Sequence, residues 1–216
     1  MKPFLQTCRA LAAMLTLVVL SATPALAAPP QAELAPQDTL MLQRVAAYLN
    51  NIHTMTARFS QVTGTGARSS GEMYIERPGR MRFDYDPPSA ITLIADTFYV
   101  YYWDKQLHQV QKVSLKSTPA WFFLRDPINF GADSIVTSFA NDGNTVRIGV
   151  VERADPDSGS LTMVFTENPI ALAQWTVVDQ QRNVTTVTLS DLQYGMALDP
   201  KLFQYRDPLA RTLREN

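Results

Sequence analysis

The stretch RPGRMRFDYDPP, residues 77–88, decides the fold prediction because it contains one complete strand between two proline turns. Met81, Phe83 and Tyr85 alternate with charged residues, and this period of two is typical of a strand with one apolar and one solvated face. A Pro-Gly pair precedes the strand and a Pro-Pro pair follows it, so turn residues mark both of its ends. The stretch therefore predicts a short strand that is buried on one side.

The arginine that opens this stretch also closes a second predicted strand, at 71–77. Alternation along that strand puts Arg77 on the same face as Met73 and Ile75. A guanidinium group carries five donors and no acceptor, so its burial on an apolar face is unfavourable unless carbonyls or a carboxylate meet it. The residues alone favour a simpler alternative, a surface ion pair with Glu72 or Asp84.

The same alternation recurs along the chain and predicts nine or ten strands in all. They lie at 55–63, 71–77, 80–85, 90–95, 97–103, 107–115, 144–153, 160–167, 170–180 and 183–193. Glycine, proline and aspartate separate most of them by only a few residues. Because connections this short cannot cross over a sheet, neighbouring strands are expected to be antiparallel.

Helical signals occur at two places. Apolar residues recur at helical spacing over 39–52, which predicts an amphipathic helix with Asp38 as its N-cap. Pro119 stands at a first-turn position of STPAWFFL, residues 117–124, which predicts a second helix. The turn-rich segment that follows is expected to hold a further short helix near 133–140.

The element order predicts a mainly β protein of the α+β type. A sheet of this size must curl to bury one face, so we expect an incomplete, strongly curved antiparallel β-barrel. The N-terminal helix and a central helical lid would then cover a hydrophobic cavity. A β-sandwich is the alternative, although a helical insertion in the middle of the chain fits it less well.

The first 27 residues are predicted to be a cleaved secretory signal peptide. A basic start is followed by a short apolar run at 10–20, shorter than the ~20 residues of a membrane span, and by an A-x-A site at 25–27. Residues 28–37 are expected to form an extended lead-in, and 38–216 a single domain. We therefore expect a soluble, exported protein.

Cysteine and charge narrow the class further. Cys8 is the only cysteine and precedes the apolar run, whereas a lipid-anchored chain needs its cysteine just after such a run. The formal net charge is −1, so no broad basic face is expected to attract nucleic acid or an anionic bilayer. The protein is expected to fold without disulfides.

The sequence offers little for catalysis. Its two histidines, His53 and His108, have no partners at metal-ligand spacing, and no nucleophile, phosphate-loop or zinc motif occurs. We therefore expect no catalytic residues, no metal, no cofactor and no enzymatic activity. The apolar run from Trp121 to Leu124 cannot be polar on any side, so that helix is either plain core or a lid over an apolar hollow.

Four segments of the chain resemble the periplasmic outer-membrane lipoprotein carriers of the LolA family. They are F-x-Q at Phe59 and Gln61, SGEMYIERPGRMRFDYDPP at 70–88, ADTFYVYYWDKQLHQV at 95–110 and STPAWFFL at 117–124. The resemblance runs from about residue 40 to 205. It implies a half-barrel whose cavity holds the acyl chains of lipoproteins in the periplasm of a Gram-negative bacterium.

The resemblance also implies partners and residue roles. An ATP-driven inner-membrane complex would load acylated lipoproteins onto a monomeric carrier, which delivers them to the outer membrane, with an outer-membrane acceptor as a further partner. Arg77 would be the lid latch, and Met81, in place of the family's phenylalanine, a partner contact. The acyl-chain cavity would be lined by Met73, Ile75, Met81, Phe83, Ile91, Leu93, Trp121, Phe122 and Leu124.

Two other functions remain open at this point. A related module of the same fold could sense lipids or lipoproteins, or serve as the outer-membrane acceptor, without shuttling. The position of Cys8 argues against a lipidated acceptor. A lipase or another hydrolase is a third candidate, and the absence of a nucleophile-and-base motif argues against it.

Overall fold

A computed structural model of the protein describes residues 30–206. The predicted signal peptide and its cleavage site, together with Cys8, lie outside the described residues. Within the described range, eleven strands form one antiparallel sheet that two α-helices accompany. None of the helices between residues 30 and 206 is long and apolar enough to cross a membrane.

The strands follow one another in two meanders that meet at the first and last strands. Their order in the sheet is β6-β5-β4-β3-β2-β1-β11-β10-β9-β8-β7. The strands are β1 (Thr54–Thr63), β2 (Arg68–Glu76), β3 (Arg80–Tyr85), β4 (Ile91–Asp96), β5 (Tyr99–Asp104), β6 (Gln109–Ser114), β7 (Ser134–Asn141), β8 (Thr145–Glu152), β9 (Gly159–Glu167), β10 (Ile170–Asp179) and β11 (Val184–Tyr194). The sheet is open, since β6 and β7 are its two edges, and the prediction of an incomplete barrel is confirmed.

One ring contact shows how strongly the sheet is curved. Phe83 of β3 and Trp175 of β10 meet edge to face, with ring centroids 6.3 Å apart, although three strands lie between theirs. At the usual strand spacing they would be about 19 Å apart in a flat sheet. The two halves therefore fold toward each other, and their apolar side chains share one core on the concave face.

The two helices lie on this concave side and differ in length. α1 (Pro36–Asn50) buries Met41, Leu42, Val45 and Leu49 against the sheet, as its apolar spacing predicts. It begins before the predicted start, with Ala35 as N-cap, so the prediction of Asp38 as the cap is wrong. Asp38 lies in the first turn, where a carboxylate is favourable beside the positive end of the helix. α2 (Ala120–Leu124) is a single short helix after a 3₁₀ turn at Leu115–Ser117.

The predicted helix near 133–140 is wrong, because the segment forms the edge strand β7. Its side chains include the β-branched Ile135 and Val136, which favour a strand. A bulge between Val136 and Ser138 shifts the pairing with β8. Consecutive residues before the bulge are therefore buried, and the pattern that would have identified a strand is lost.

Candidate functional site

The concave face and α2 enclose a cavity of about 230 Å³, the outer cavity. Its wall is mostly apolar and combines strands from both halves of the sheet with the start of α2. The lining residues are Gln61, Met81, Phe83, Tyr85, Leu93, Pro119, Ala120, Phe123, Trp175, Val177, Thr185 and Val187. No charged side chain is among these described lining residues.

A smaller inner cavity of about 30 Å³ lies beneath α1. Ile75, Arg77 and Met55 line it together with residues at the end of α1. Met81, Phe123 and Trp175 line both cavities and thus form the partition between them. The rings of Phe123 and Trp175 contact each other with centroids 5.1 Å apart, so α2 closes the partition through one aromatic pair.

At the inner end, Arg77 is buried and bonds to the backbone of both helices. Its guanidinium donates to the carbonyls of Leu49 and Ile52 at the end of α1, and to the carbonyl of Arg125, the C-cap of α2. Its hydrogen bonds therefore go mainly to helix carbonyls, and the Asp126 carboxylate lies 3.8 Å away as an ion-pair partner. The surface alternatives Glu72 and Asp84 pair elsewhere. We call this region, where Arg77 meets both helices, the closed end.

Helix geometry explains why an arginine suits this position. The last four carbonyls of a helix have no partner within it, and that end carries partial negative charge. α1 has no basic residue in its own last turn, so Arg77 supplies the positive charge from the β2–β3 turn. Burial lowers the pKa of the Arg77 guanidinium and the Asp126 carboxylate opposes this shift, yet an arginine stays protonated in proteins.

A second buried arginine extends this network to the far half of the sheet. Arg125, only 5% exposed, accepts the Arg77 bond through its carbonyl while its side chain pairs with Glu152 of β8 at 3.3 Å. Its guanidinium also lies 4.9 Å from the centre of the Phe122 ring. α2 is thereby held from two sides, by Arg77 on one half of the sheet and by Glu152 on the other.

The opposite end of the outer cavity is more polar and more exposed. On the concave face of β1, Met55 and Phe59 are buried whereas Gln61 is half-buried. The Tyr85 hydroxyl donates to Gln61 Oε1 at 2.9 Å, and Thr185 of β11 lines the same end. We call the region of Gln61, Tyr85 and Thr185 the mouth. Burial raises the pKa of Tyr85, so its hydroxyl remains a donor.

An open half-barrel with two helices over an apolar cavity matches a known family. The sequence profile of the outer membrane lipoprotein carrier protein LolA matches residues 50–206. The chain belongs to the LolA family. A Pseudomonas aeruginosa (strain UCBPP-PA14) protein named outer-membrane lipoprotein carrier protein is 30% identical over 181 residues, which cover 79% of this chain and 86% of the relative.

Two further comparisons concern a second relative and the fold. The outer-membrane lipoprotein carrier protein of Methylococcus capsulatus is 27% identical over 187 residues, covering 82% of this chain and 86% of the relative. Among solved structures, a DUF1329 family protein from Desulfovibrio piger superposes with a TM-score of 0.50 at 10% identity, covering 78% of this chain and 98% of that one. At this identity the structural likeness concerns the fold alone.

The structure brings together only some of the residues that the resemblance assigns to the cavity. Phe83 and Leu93 line the outer cavity, Ile75 lines the inner one, and Met81 lines both. Neither cavity is lined by Met73, Ile91, Trp121, Phe122 or Leu124. Met73, Phe122 and Leu124 are nevertheless buried in the core on this side of the sheet, and the role of all nine in binding acyl chains stays a prediction.

Two residues of the site escaped the sequence analysis. Phe123 forms the partition, but in a helix that is apolar throughout, the sequence gives no sign of which ring points inward. Asn50 joins α1 to the segment after α2, because its amide donates to the Ile128 carbonyl at 2.9 Å and accepts from the Ile128 amide at 2.8 Å. The Asn50-Asn51 pair at the end of the predicted helix was the one available signal of this contact, since asparagine side chains favour hydrogen bonds to the backbone.

Proposed function

We propose that the protein is a periplasmic carrier that shelters the acyl chains of lipoproteins in its concave cavity and delivers them from the inner to the outer membrane. The observation that carries this proposal is an uncharged apolar cavity beneath a helical lid held by Arg77, in a member of the LolA family. The name of the relatives, outer-membrane lipoprotein carrier protein, supports the same cargo.

Free energy makes a sheltered cavity necessary for such cargo. An acyl chain of about fifteen methylenes gains on the order of 12 kcal/mol on leaving water, at about 0.8 kcal/mol per methylene. A lipoprotein with exposed chains would therefore not remain dispersed in the periplasm. The carrier must cover most of each chain, but it must also release the chains to a membrane.

The partition between the two cavities indicates how the space for cargo can grow. Phe123 of α2 closes it against Trp175, so displacement of α2 would merge the outer cavity with the inner one. We infer that the arrangement described here is the closed state of the lid, and that cargo with several acyl chains displaces α2 and Phe123.

Arg77 is proposed as the lid latch. Its bond to the Arg125 carbonyl would break when α2 moves away, so it stabilises the closed state against the loaded one. The bonds to the end of α1 hold the guanidinium in position for that contact. The Arg77 Nε atom is buried without a hydrogen-bond partner among the described residues, which lowers the cost of opening. Closure of the lid therefore competes with the cargo and favours its release.

The handover partners follow from the same role. We propose loading by an ATP-driven inner-membrane complex and release to the outer membrane, directly or through an acceptor, with the carrier acting as a monomer. Met81 is the proposed partner contact, but it is only 7% exposed in the closed state. A partner would therefore reach Met81 only after the lid has moved.

The test is transfer of an acylated lipoprotein from inner-membrane vesicles to outer-membrane vesicles by the purified protein. Wild type should take up and release the cargo. Arg77→Leu should take it up but retain it at least tenfold more, because loss of the closed-state bonds shifts the equilibrium by a factor of ten for each 1.4 kcal/mol. The matched control is Arg58→Leu, since Arg58 pairs with Asp86 on the exposed face.

Three outcomes are decisive. Failure of wild type to take up any acylated protein contradicts the carrier function. Uptake without delivery to any outer-membrane vesicle favours a lipoprotein-sensing module of the same fold. Release by Arg77→Leu at the wild-type rate contradicts the latch role alone.

A further inference from the structure

Polarity changes along three strands of the concave face, β11, β1 and β3, of which β11 and β1 are neighbours while β2 lies between β1 and β3. Each strand has a buried apolar residue toward the closed end and a half-buried polar residue at the mouth. The pairs are Phe59 and Gln61 on β1, Phe83 and Tyr85 on β3, and Val187 and Thr185 on β11. The border between the apolar interior and the polar rim runs diagonally across the strands, because Gln61 pairs opposite the buried Val187 and Tyr85 lies level with Phe59 through Gly71.

Gln61 carries unused hydrogen-bonding capacity at this border. Its Oε1 atom accepts from the Tyr85 hydroxyl, which fixes the orientation of the amide. Its Nε2 group makes no hydrogen bond to any residue in the described range, and Gln61 lines the outer cavity. The Tyr85 ring is held in turn against Phe59, with centroids 5.1 Å apart. A positioned amide donor thus faces an otherwise apolar cavity.

We propose that Gln61 and Tyr85 form a subsite that recognises the acyl carbonyl of the cargo, an inference that rests on the proposed function. In an acylated ligand the carbonyl is the junction between the apolar chain and the polar head group. Gln61 lies at the corresponding junction of the protein, so the chain would extend toward the closed end while Gln61 Nε2 donates to the carbonyl oxygen.

The electrostatics of the cavity select a neutral carbonyl. A carboxylate taken into an apolar cavity needs a cation, and without one its burial is strongly unfavourable. None of the described residues that line the outer cavity is charged, and the guanidinium of Arg77 at the closed end bonds to carbonyls. An ester or amide carbonyl needs only one donor. The subsite therefore supplies the one donor that an ester or amide carbonyl needs and offers no cation to a free carboxylate.

The length of the concave face fits an acyl chain in this direction. From Met55 to Gln61 the strand β1 rises about 20 Å, at ~3.4 Å per residue. One leaflet of a bilayer has a hydrocarbon thickness of about 15 Å, half of the whole core. A chain anchored at Gln61 can thus lie entirely between the mouth and the closed end.

The experiment compares two ligands that differ only in their carbonyls, dioctanoylglycerol and its diether analogue dioctylglycerol. Calorimetric titration of the full chain should give a Kd for the diester about 2- to 10-fold lower than for the diether, the effect of one net hydrogen bond. Gln61→Leu should abolish this preference while still binding both ligands. Tyr85→Phe should reduce it, because the amide loses the hydrogen bond that orients it.

The control is Gln174→Leu, the same substitution at a position outside the cavity, where the Gln174 amide pairs with Thr188. It should keep the diester preference. Thermal unfolding followed by circular dichroism checks that each variant is folded. If Gln61→Leu does not fold, Tyr85→Phe becomes the decisive variant, because it removes only a single oxygen atom. A preference as large as that of wild type in the decisive folded variant overturns the subsite.

Two further ligands with the same acyl chains distinguish a lipoprotein from a phospholipid as the source of the carbonyl. They are a dioctanoylglyceryl-cysteinyl peptide and dioctanoyl phosphatidylglycerol. Weaker binding of both by Gln61→Leu supports recognition of acyl esters in general, and weaker binding of the peptide alone supports lipoprotein cargo. Equal binding of diester and diether by wild type overturns the subsite but leaves acyl binding intact. Binding of neither by wild type contradicts the carrier function as well.

Discussion

The two ends of the cavity are both polar, but they differ in what their polar groups contact. At the closed end, Arg77 donates to helix carbonyls and Arg125 pairs with Glu152. Both charges thus have partners within the protein, although the Nε atoms of both arginines make no hydrogen bond among the described residues. At the mouth, Gln61 keeps a free amide donor beside Tyr85. Charges that are paired within the protein hold the lid, whereas the neutral amide donor at the mouth is available to a ligand.

This difference has an energetic consequence. A buried charge that loses its partners is strongly destabilising, whereas a half-exposed neutral amide can exchange a protein partner for water at little cost. Substitutions at the closed end are therefore expected to act on folding and on lid position, and those at the mouth on ligand preference. The predictions below test this separation, beginning with the largest effect.

Arg77→Leu should lower the free energy of unfolding by about 3–5 kcal/mol, because it removes the guanidinium donor from the carbonyls of Leu49, Ile52 and Arg125. Denaturant unfolding followed by circular dichroism measures the change. Arg58→Leu is the control. Arg58 pairs with Asp86 at a position exposed to solvent. Arg58→Leu should therefore lower the free energy of unfolding much less, and the decrease should be smaller still at high salt. Equal losses in the two variants would contradict a special role of the closed end.

Phe123→Ala should cost about 2–4 kcal/mol of unfolding free energy, as expected for removal of a packed aromatic ring. It should also merge the two cavities, because Phe123 forms the partition with Trp175. Uptake of an uncharged apolar dye that fluoresces in apolar surroundings should then rise. Phe203→Ala is the control, since Phe203 is buried in the C-terminal 3₁₀ turn Pro200–Phe203 that contacts β3 and β4 and lines neither cavity.

The Phe203 control should lose a similar amount of stability without a gain in dye binding. A gain in both variants would show that general loosening, and not the partition, limits access to the cavity.

Sequence patterns predicted the fold where burial alternates cleanly. In 77–88 every second residue faces the core, and both ends carry turn residues, so β3 was predicted with the bounds that it has. The edge strand β7 was missed because its bulge buries neighbouring residues, and a bulge depends on the pairing partner. The local sequence does not indicate which strand will be that partner.

The site was predictable only in part, for a related reason. Alternation placed Arg77 on the buried face, but its acceptors are backbone carbonyls of Leu49, Ile52 and Arg125, which lie far away in sequence and carry no side-chain signature. The resemblance to the LolA family supplied the latch hypothesis that alternation could not. The direction of Phe123 depends on how α2 docks, and so it required coordinates.

The pair of Arg125 and Glu152 should couple the lid to the far half of the sheet. In a double-mutant cycle with Arg125→Met and Glu152→Gln, the interaction free energy should be about 1 kcal/mol, reduced by the partial exposure of Glu152. Denaturant unfolding of the four proteins measures it. An interaction near zero would mean that α2 is held from the Arg77 side only.

The smallest expected effect is an acid dependence on the outer face near the mouth. A hydrogen bond from Arg58, and to a smaller extent one from Ser70, lowers the pKa of Asp86 below its ordinary value. The folded state thus binds the Asp86 proton less readily than the unfolded state. The resulting stabilisation is present above the unfolded pKa and is lost as the pH falls below about 4.

Asp86→Asn should therefore flatten the decline of the melting temperature in acid slightly and leave the melting temperature near pH 7 almost unchanged, since both groups are exposed. It should also leave the preference for dioctanoylglycerol unaltered, because Asp86 does not line the outer cavity. A changed ligand preference would mean that charge on the outer face acts through β3 on Tyr85. The separation between the mouth and its supporting surface would then fail.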